Sequence, residues 1–415
     1  MQLSRETCLA MDAADPLAVF RDSFDLPDRM IYLDGNSLGV VSHEARRELT
    51  ATVETQWRTD LIRSWNTAGW VDWPTLFGDR IGALIGAAPG QTVVADSTSI
   101  NLFKALVAAL RMNSGRRVLV TGSDNFPSDL YITEGAAALF AGIERRLVPA
   151  GGTEDDVIAA LDESVAVLTL THVNYRTARI WDMRRLTEAA HRHGILVVWD
   201  LAHSAGAVPV ALDEAGADFA VGCGYKYLNG GPGAPGFIYV AERHLGIAVN
   251  PLTGWLGHAA PFDFAPDYQP AKSIASFICG TPQILSYAAL KGALNIFERT
   301  RMEALYAKSQ ALTSLFVDLV ESRCAGAGLT LVSPREPARR GSHISFAHEN
   351  AYALVQALIA RDVIGDFRAP DVARFGFAPL YNGFAEIWDA VQHLVEVVDT
   401  EEWKRPEFTT RKKVT

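Results

Sequence analysis

An alternation of short apolar runs with helical patterns through the middle of the chain limits the fold more than any other feature. Thr92–Ala95, Arg117–Thr121, Val165–Thr171, Gly194–Trp199 and Phe219–Gly222 read as short buried strands, and helical patterns such as Ile100–Leu110 and Met183–His193 fall between several of them. Runs with no polar alternation suit strands covered on both faces. The pattern therefore predicts an α/β domain with a mainly parallel central sheet and a functional site at the carboxyl ends of its strands. After about residue 290 the character changes. One long helix is expected from Gln283 to roughly Ser322, then a strand pair at Leu329–Val332 and His343–Phe346, a helix over Tyr352–Arg361 and a closing helix after Phe384. We read 45–290 as a large α/β domain, 291–415 as a smaller α+β C-terminal domain, and 1–44 as a segment packing with the smaller one. At 415 residues and 49% hydrophobic, the chain is long enough for both.

Two residues fall where such a sheet would place its chemistry. Asp200 ends the run Ile195–Trp199, and Lys226 follows the next predicted strand within Gly224-Tyr-Lys-Tyr-Leu-Asn229. Alone, the aspartate reads as a helix cap and the lysine as a solvated loop residue. Together they match a pyridoxal 5′-phosphate (PLP) site, where a carboxylate keeps the pyridine nitrogen protonated and an amine forms a Schiff base. The phosphate would need donors, and Asp96-Ser-Thr-Ser-Ile-Asn101 supplies hydroxyls and free amides at a helix start. Asn125-Phe126-Pro-Ser-Asp129 follows another strand and offers an aromatic face for a planar ring. His203 could support the ring or Asp200, or serve as a structural histidine. Tyr225 could reach the phosphate and act as an acid, or simply pack against the glycine-rich turn.

Composition narrows the partners. A net charge of −10 argues against nucleic acid, which calls for a basic face. No apolar run approaches a membrane span and the first residues lack a secretory h-region, so a cytoplasmic protein is expected. Cys8, Cys223, Cys279 and Cys324 show no metal-ligand spacing.

Taken together, Tyr32-Leu-Asp-Gly-Asn-Ser-Leu-Gly39, Phe126-Pro-Ser-Asp129, Trp199-Asp-Leu-Ala-His203, Gly224–Asn229, the Gly254-Trp255 region and Arg374-Phe-Gly-Phe-Ala-Pro-Leu-Tyr-Asn382 resemble the kynureninases. The resemblance runs from Tyr32 to Asn382. It implies the PLP-dependent transferase fold type I and hydrolysis of L-kynurenine to anthranilate and L-alanine in a homodimer with the active site at the subunit interface. By the same resemblance Lys226 is the Schiff-base lysine and Asp200 the partner of the pyridine nitrogen, with Thr171 and His203 beside the cofactor. Thr98 and Ser99 contact the phosphate, Phe126 stacks on the ring near Asp129, and Tyr225 touches the phosphate. Trp255 and Thr281 reach the site from the other subunit. Arg374 holds the substrate α-carboxylate, and Ser37, Trp65 and Thr281 line the aryl pocket. The runner-up is a cysteine desulfurase or related aminotransferase of the same fold, which would need a mobile cysteine. The comparable loop, Arg339–His343, has none. A non-catalytic scaffold on this fold would have lost Lys226 or Asp200.

Overall fold

The structure, a computed structural model, describes residues 3–411. Its centre is a seven-stranded sheet in the order β2-β8-β7-β6-β5-β3-β4. These strands are β2 (Thr92–Val94), β3 (Val118–Gly122), β4 (Glu144–Val148), β5 (Val165–Thr171), β6 (Leu196–Asp200), β7 (Phe219–Cys223) and β8 (Gly236–Val240). Only β8 runs against its neighbours; the ladders β7-β6-β5-β3-β4 are parallel throughout. This is the mainly parallel sheet read from the sequence, and it brings the ends of β3, β5, β6 and β7 to one edge. Alternate residues serve two cores: Val197 and Trp199 of β6 belong to one apolar cluster, and Val198, with Leu106 of the helix Thr98–Met112 and Phe219, to the other. The edge strand β4, Glu144-Arg-Arg-Leu-Val, is partly exposed and charged, which discourages pairing with another chain.

The expected helix from Gln283 to Ser322 is two helices, Ile284–Phe297 and Met302–Arg323. The intervening Glu298-Arg-Thr-Arg301 carries three charged residues, and the two halves bury against different layers. Ile284–Phe297 lies on the helix His43–Ala51, where a side chain at Gly292 would collide with the backbone of Ala45, while Met302–Arg323 packs on Phe384–Asp399. The apolar pattern resumes at Met302, directly after the break, which is why the stretch reads as one element.

A second sheet of four strands has the order β12-β13-β10-β9, formed by β9 (Thr330–Leu331), β10 (His343–Ala347), β12 (Asp366–Arg368) and β13 (Val372–Gly376). It covers a core of Phe316, Phe346, Phe375, Phe377 and the closing helix. The N-terminal segment divides between the cores. Arg5–Ala14 packs on Phe384–Asp399, and β1 (Ile31–Tyr32) pairs in parallel with β11 (Val363–Ile364), whereas Leu17, Phe20 and Phe24 enter the core that contains Trp199. Among the described residues, no helix is long and apolar enough to cross a membrane.

Candidate active site

Four parallel strands deliver their C-terminal residues to one cleft. Thr98, Ser99, Phe126, Ser128, Asp129, Thr171, Tyr175, Asp200, His203, Tyr225 and Lys226 line it. Thr171 lies opposite Asp200 in the β5-β6 ladder. Asp200 is anchored by the backbone of the following turn, its Oδ1 accepting from the Ala202 N–H at 2.6 Å. Lys226 Nζ meets His203 Nε2 at 2.9 Å. Burial, and after it the Lys226 charge, holds the His203 ring well below the ordinary histidine range, so the imidazole is neutral and its Nε2 can accept. Burial likewise lowers the lysine, which eases loss of a proton from its amine.

Asp129 and Asp200 form a buried carboxyl pair. Both are raised, first by burial, and Asp129 further by the charge of Asp200 and by its hydrogen bond with it. The Thr171 hydroxyl donates to Asp129 Oδ2 at 3.3 Å. Tyr225 is pushed above the usual phenol range, mainly by burial, and keeps its proton at neutral pH. Phe126 is partly exposed at the mouth, edge-on to Tyr175 with ring centroids 5.2 Å apart.

The helix Thr98–Met112 opens on the cleft. Ser97 caps it by accepting from the Ile100 N–H, Ser99 and Ser128 share a hydrogen bond at 2.9 Å, and the Thr98 hydroxyl is buried with no partner. Gly236 passes so close that a Cβ would lie 2.9 Å from the Thr98 amide. A buried unpartnered hydroxyl at a helix N-terminus suits a phosphate, and Asp200 in the same cleft is a carboxylate of the kind a pyridinium needs. The donor set therefore fits PLP.

Arg374 on β13 is 1% exposed and clamps Asp366, the residue opposite it on β12, with Nε to Oδ1 at 2.8 Å. Its Nη2 also meets Ser37 Oγ at 3.0 Å and its Nη1 the Tyr175 carbonyl at 2.5 Å, which links it to the cleft wall. His343 sits between these groups, fully buried, with both ring nitrogens unpartnered and its ring 5.4 Å from that of His203.

Trp65, Trp255 and Thr281 do not line the Lys226 cleft of the single chain. Trp65 and Trp255 border a separate apolar groove with Ile62, Val71 and Phe262, and Thr281 lies exposed just before the helix Ile284–Phe297. The sequence reading missed Ser128, Tyr175, His343, Asp366 and Arg368. Ser128 lies inside a motif already in view and His343 opens a strand already expected; Tyr175, Asp366 and Arg368 come from a loop and a short strand whose pairing no periodicity announces.

Comparison with known proteins adds three findings. The Kynureninase C-terminal domain family matches residues 305–394. The chain is 51% identical to a kynureninase of Pseudomonas fluorescens over 99% of this chain and all of that one, and equally to one of Burkholderia pseudomallei over the same shares. Among solved structures, the cysteine desulfurase of Thermococcus onnurineus superposes with a TM-score of 0.78 over 92% of this chain and 98% of that chain, but at 18% identity, so the likeness is one of fold.

Proposed function

The chain belongs to the kynureninase family, and from that premise we propose that its reaction is seated in the Lys226 cleft. The protein is a PLP-dependent hydrolase that cleaves the Cβ–Cγ bond of L-kynurenine with water, giving anthranilate and L-alanine. PLP, when bound, supplies an electron sink conjugated to the substrate's amino nitrogen.

The convergence of Lys226, Asp200 and the unpartnered Thr98 hydroxyl on one cleft carries this reading of the site. In it, Thr98, Ser99 and the helix amides would hold the phosphate, with Tyr225 as a further contact to it. Phe126 would offer the ring an aromatic face. Asp200, hydrogen-bonded by Asp129, keeps the pyridine nitrogen protonated, with Thr171 and His203 bracing that pair and the lysine. Lys226 would hold the cofactor through its amine, and that amine, lowered by burial, is the group placed to take up the Cα proton. Tyr225, which retains its proton, delivers one to the β-carbon. Arg374 receives the α-carboxylate.

The same reading makes the protein a cytoplasmic homodimer in which Trp255 and Thr281 serve the partner's cleft. In support, the apolar groove is rimmed by Ile62 at 77% exposure and Phe262 at 61%, a surface a second copy would cover. With Trp65, Ser37 and Thr281 about the aryl ring, a 3-hydroxyl would be dehydrated without a good partner, at a cost of roughly 1–3 kcal/mol. L-kynurenine is therefore the preferred substrate over its 3-hydroxy analogue, and a kcat/KM ratio at or below unity would overturn that assignment. The desulfurase alternative is disfavoured at the residue level: Cys223, the thiol at the end of β7, is buried against the Ala202 carbonyl and raised by burial.

The decisive assay is anthranilate fluorescence on adding L-kynurenine to protein loaded with PLP, with Lys226→Ala as control. Wild type should produce anthranilate. The variant should fold, retain PLP through the phosphate contacts and show almost no turnover, whereas normal turnover in it would displace Lys226 from its role.

A further inference from the structure

Beside the cleft lies a second arginine that the family reading leaves without a role. Asp366 is shared: Arg374 clamps it from one side, and Arg368 Nη2 donates to its Oδ2 at 2.6 Å from the other. Ser37 Oγ joins both, donating to Asp366 Oδ2 at 2.8 Å and accepting from Arg368 Nη2 at 3.2 Å. Two guanidiniums around one carboxylate leave the cluster positive, a charge that Asp34 can cancel only when ionised.

The arginines differ in what they have left to give. Arg374 is locked: its side chain is 2% exposed, and four N–H groups are taken, two by Asp366, one by Ser37 and one by the Tyr175 carbonyl. Arg368 is not. Its side chain is 32% exposed, its Nε is sheltered from water with no acceptor, and among the described residues its Nη1 has none either. A sheltered guanidinium N–H without an acceptor awaits an anion. The charge of Arg368 also bears on Lys226, His203 and Tyr225, which puts it within electrostatic reach of the cleft.

We propose that Arg368 is a second substrate-binding guanidinium, meeting the α-carboxylate of the amino-acid substrate alongside Arg374, which, fixed by Asp366, Ser37 and the Tyr175 carbonyl, has a single N–H left to give. The inference rests on the reading of the cleft as the kynurenine site. Arg374 then supplies fixed charge, and Arg368 supplies the adjustable donors.

The test compares Arg368→Gln, Arg368→Lys and Arg374→Gln in PLP-loaded enzyme. It measures kcat and KM for L-kynurenine, and inhibition by L-alanine and by L-alaninamide, which lacks the carboxylate. Loss of charge-assisted hydrogen bonds should raise KM and weaken L-alanine by about tenfold or more in Arg368→Gln, leaving kcat, L-alaninamide inhibition and the cofactor's visible absorbance near wild type. Arg368→Lys should recover part of the loss. Equal weakening of L-alanine and its amide, or loss of PLP, would make Arg368 structural and overturn the proposal. If Arg374→Gln weakens L-alanine and Arg368→Gln does not, the proposal falls and the role of Arg374 stands. The converse result upholds Arg368 and removes Arg374, and indifference of both overturns both.

Discussion

Asp34 carries a pH dependence that can be worked out in advance. Its carboxyl is pushed up to about 7, by burial first and by the charge of Asp366 second, and its Oδ1 has no hydrogen-bond partner. Ser37, Arg374 and Arg368 pull the other way, and the nearby phenols of Tyr32, Tyr227 and Tyr381 stay neutral. Below about 7 the aspartate is protonated and the two arginines with Asp366 keep their positive charge; above it the cluster is neutral. KM for kynurenine should therefore rise as pH passes upward through that value, and Asp34→Asn should flatten the rise. Stability follows the same sign. The folded protein holds a proton that an unfolded aspartate releases near 3.8, so stability attributable to this group is present below 3.8 and lost as pH climbs toward 7. Denaturant midpoints of wild type and Asp34→Asn across that window measure it. Asp200→Asn is a second prediction at this scale. It preserves shape but removes the charge facing the pyridine nitrogen, so kcat/KM should fall by about a hundredfold or more, roughly 3 kcal/mol. A change within about threefold, under about 1 kcal/mol, would leave the aspartate a simple turn anchor for Ala202.

At the level of elements, the helix Thr98–Met112 and strand β8 must approach each other closely for the proposed phosphate cup to exist. In Gly236→Ala the new methyl would press on the Thr98 amide and the Gly222 carbonyl, both backbone and unable to swing aside. Overpacking of this kind costs about 1–3 kcal/mol, and with the cup displaced the PLP dissociation constant should rise by about tenfold or more. Titration of apo-protein with PLP, followed by visible absorbance, would show it; unchanged affinity would mean the phosphate sits elsewhere. These same elements mark what the sequence could reveal. The largely apolar, fully covered β5, β6 and β7 are self-evident as buried strands, and Asp200 and Lys226 follow from where those strands end. The strand β4 was hidden because its charged residues suit an exposed edge, and β8 because it emerges from a glycine-rich turn. The break at Glu298–Arg301 was hidden because spacing alone does not tell which layer each half of a helical pattern faces. Asp366 and Arg368 stayed out of view because a three-residue strand has no readable period, and their meaning depends on pairing with Arg374.

For the molecule as a whole, the proposed sharing of clefts between two copies has a direct test. Lys226→Ala and Trp255→Ala should each be poorly active alone. When the two are unfolded together and refolded in equal amounts, mixed dimers have one cleft with its own lysine and a tryptophan from the partner. Random pairing should then restore about one quarter of wild-type activity, and no recovery would show that Trp255 does not serve across subunits. The path of the chain has a further consequence, for synthesis. Tyr32 lies against Ile364, Ser37 binds Asp366 and Arg374, and a side chain at Gly376 would collide with Asn36. A growing polypeptide that has already formed its central sheet on the ribosome must therefore keep residues 31–37 waiting until residue 376 has left the exit tunnel. Shortened nascent chains ending before β12 could present the phosphate cup and the lysine, yet they would have nothing with which to grip an amino acid's carboxylate.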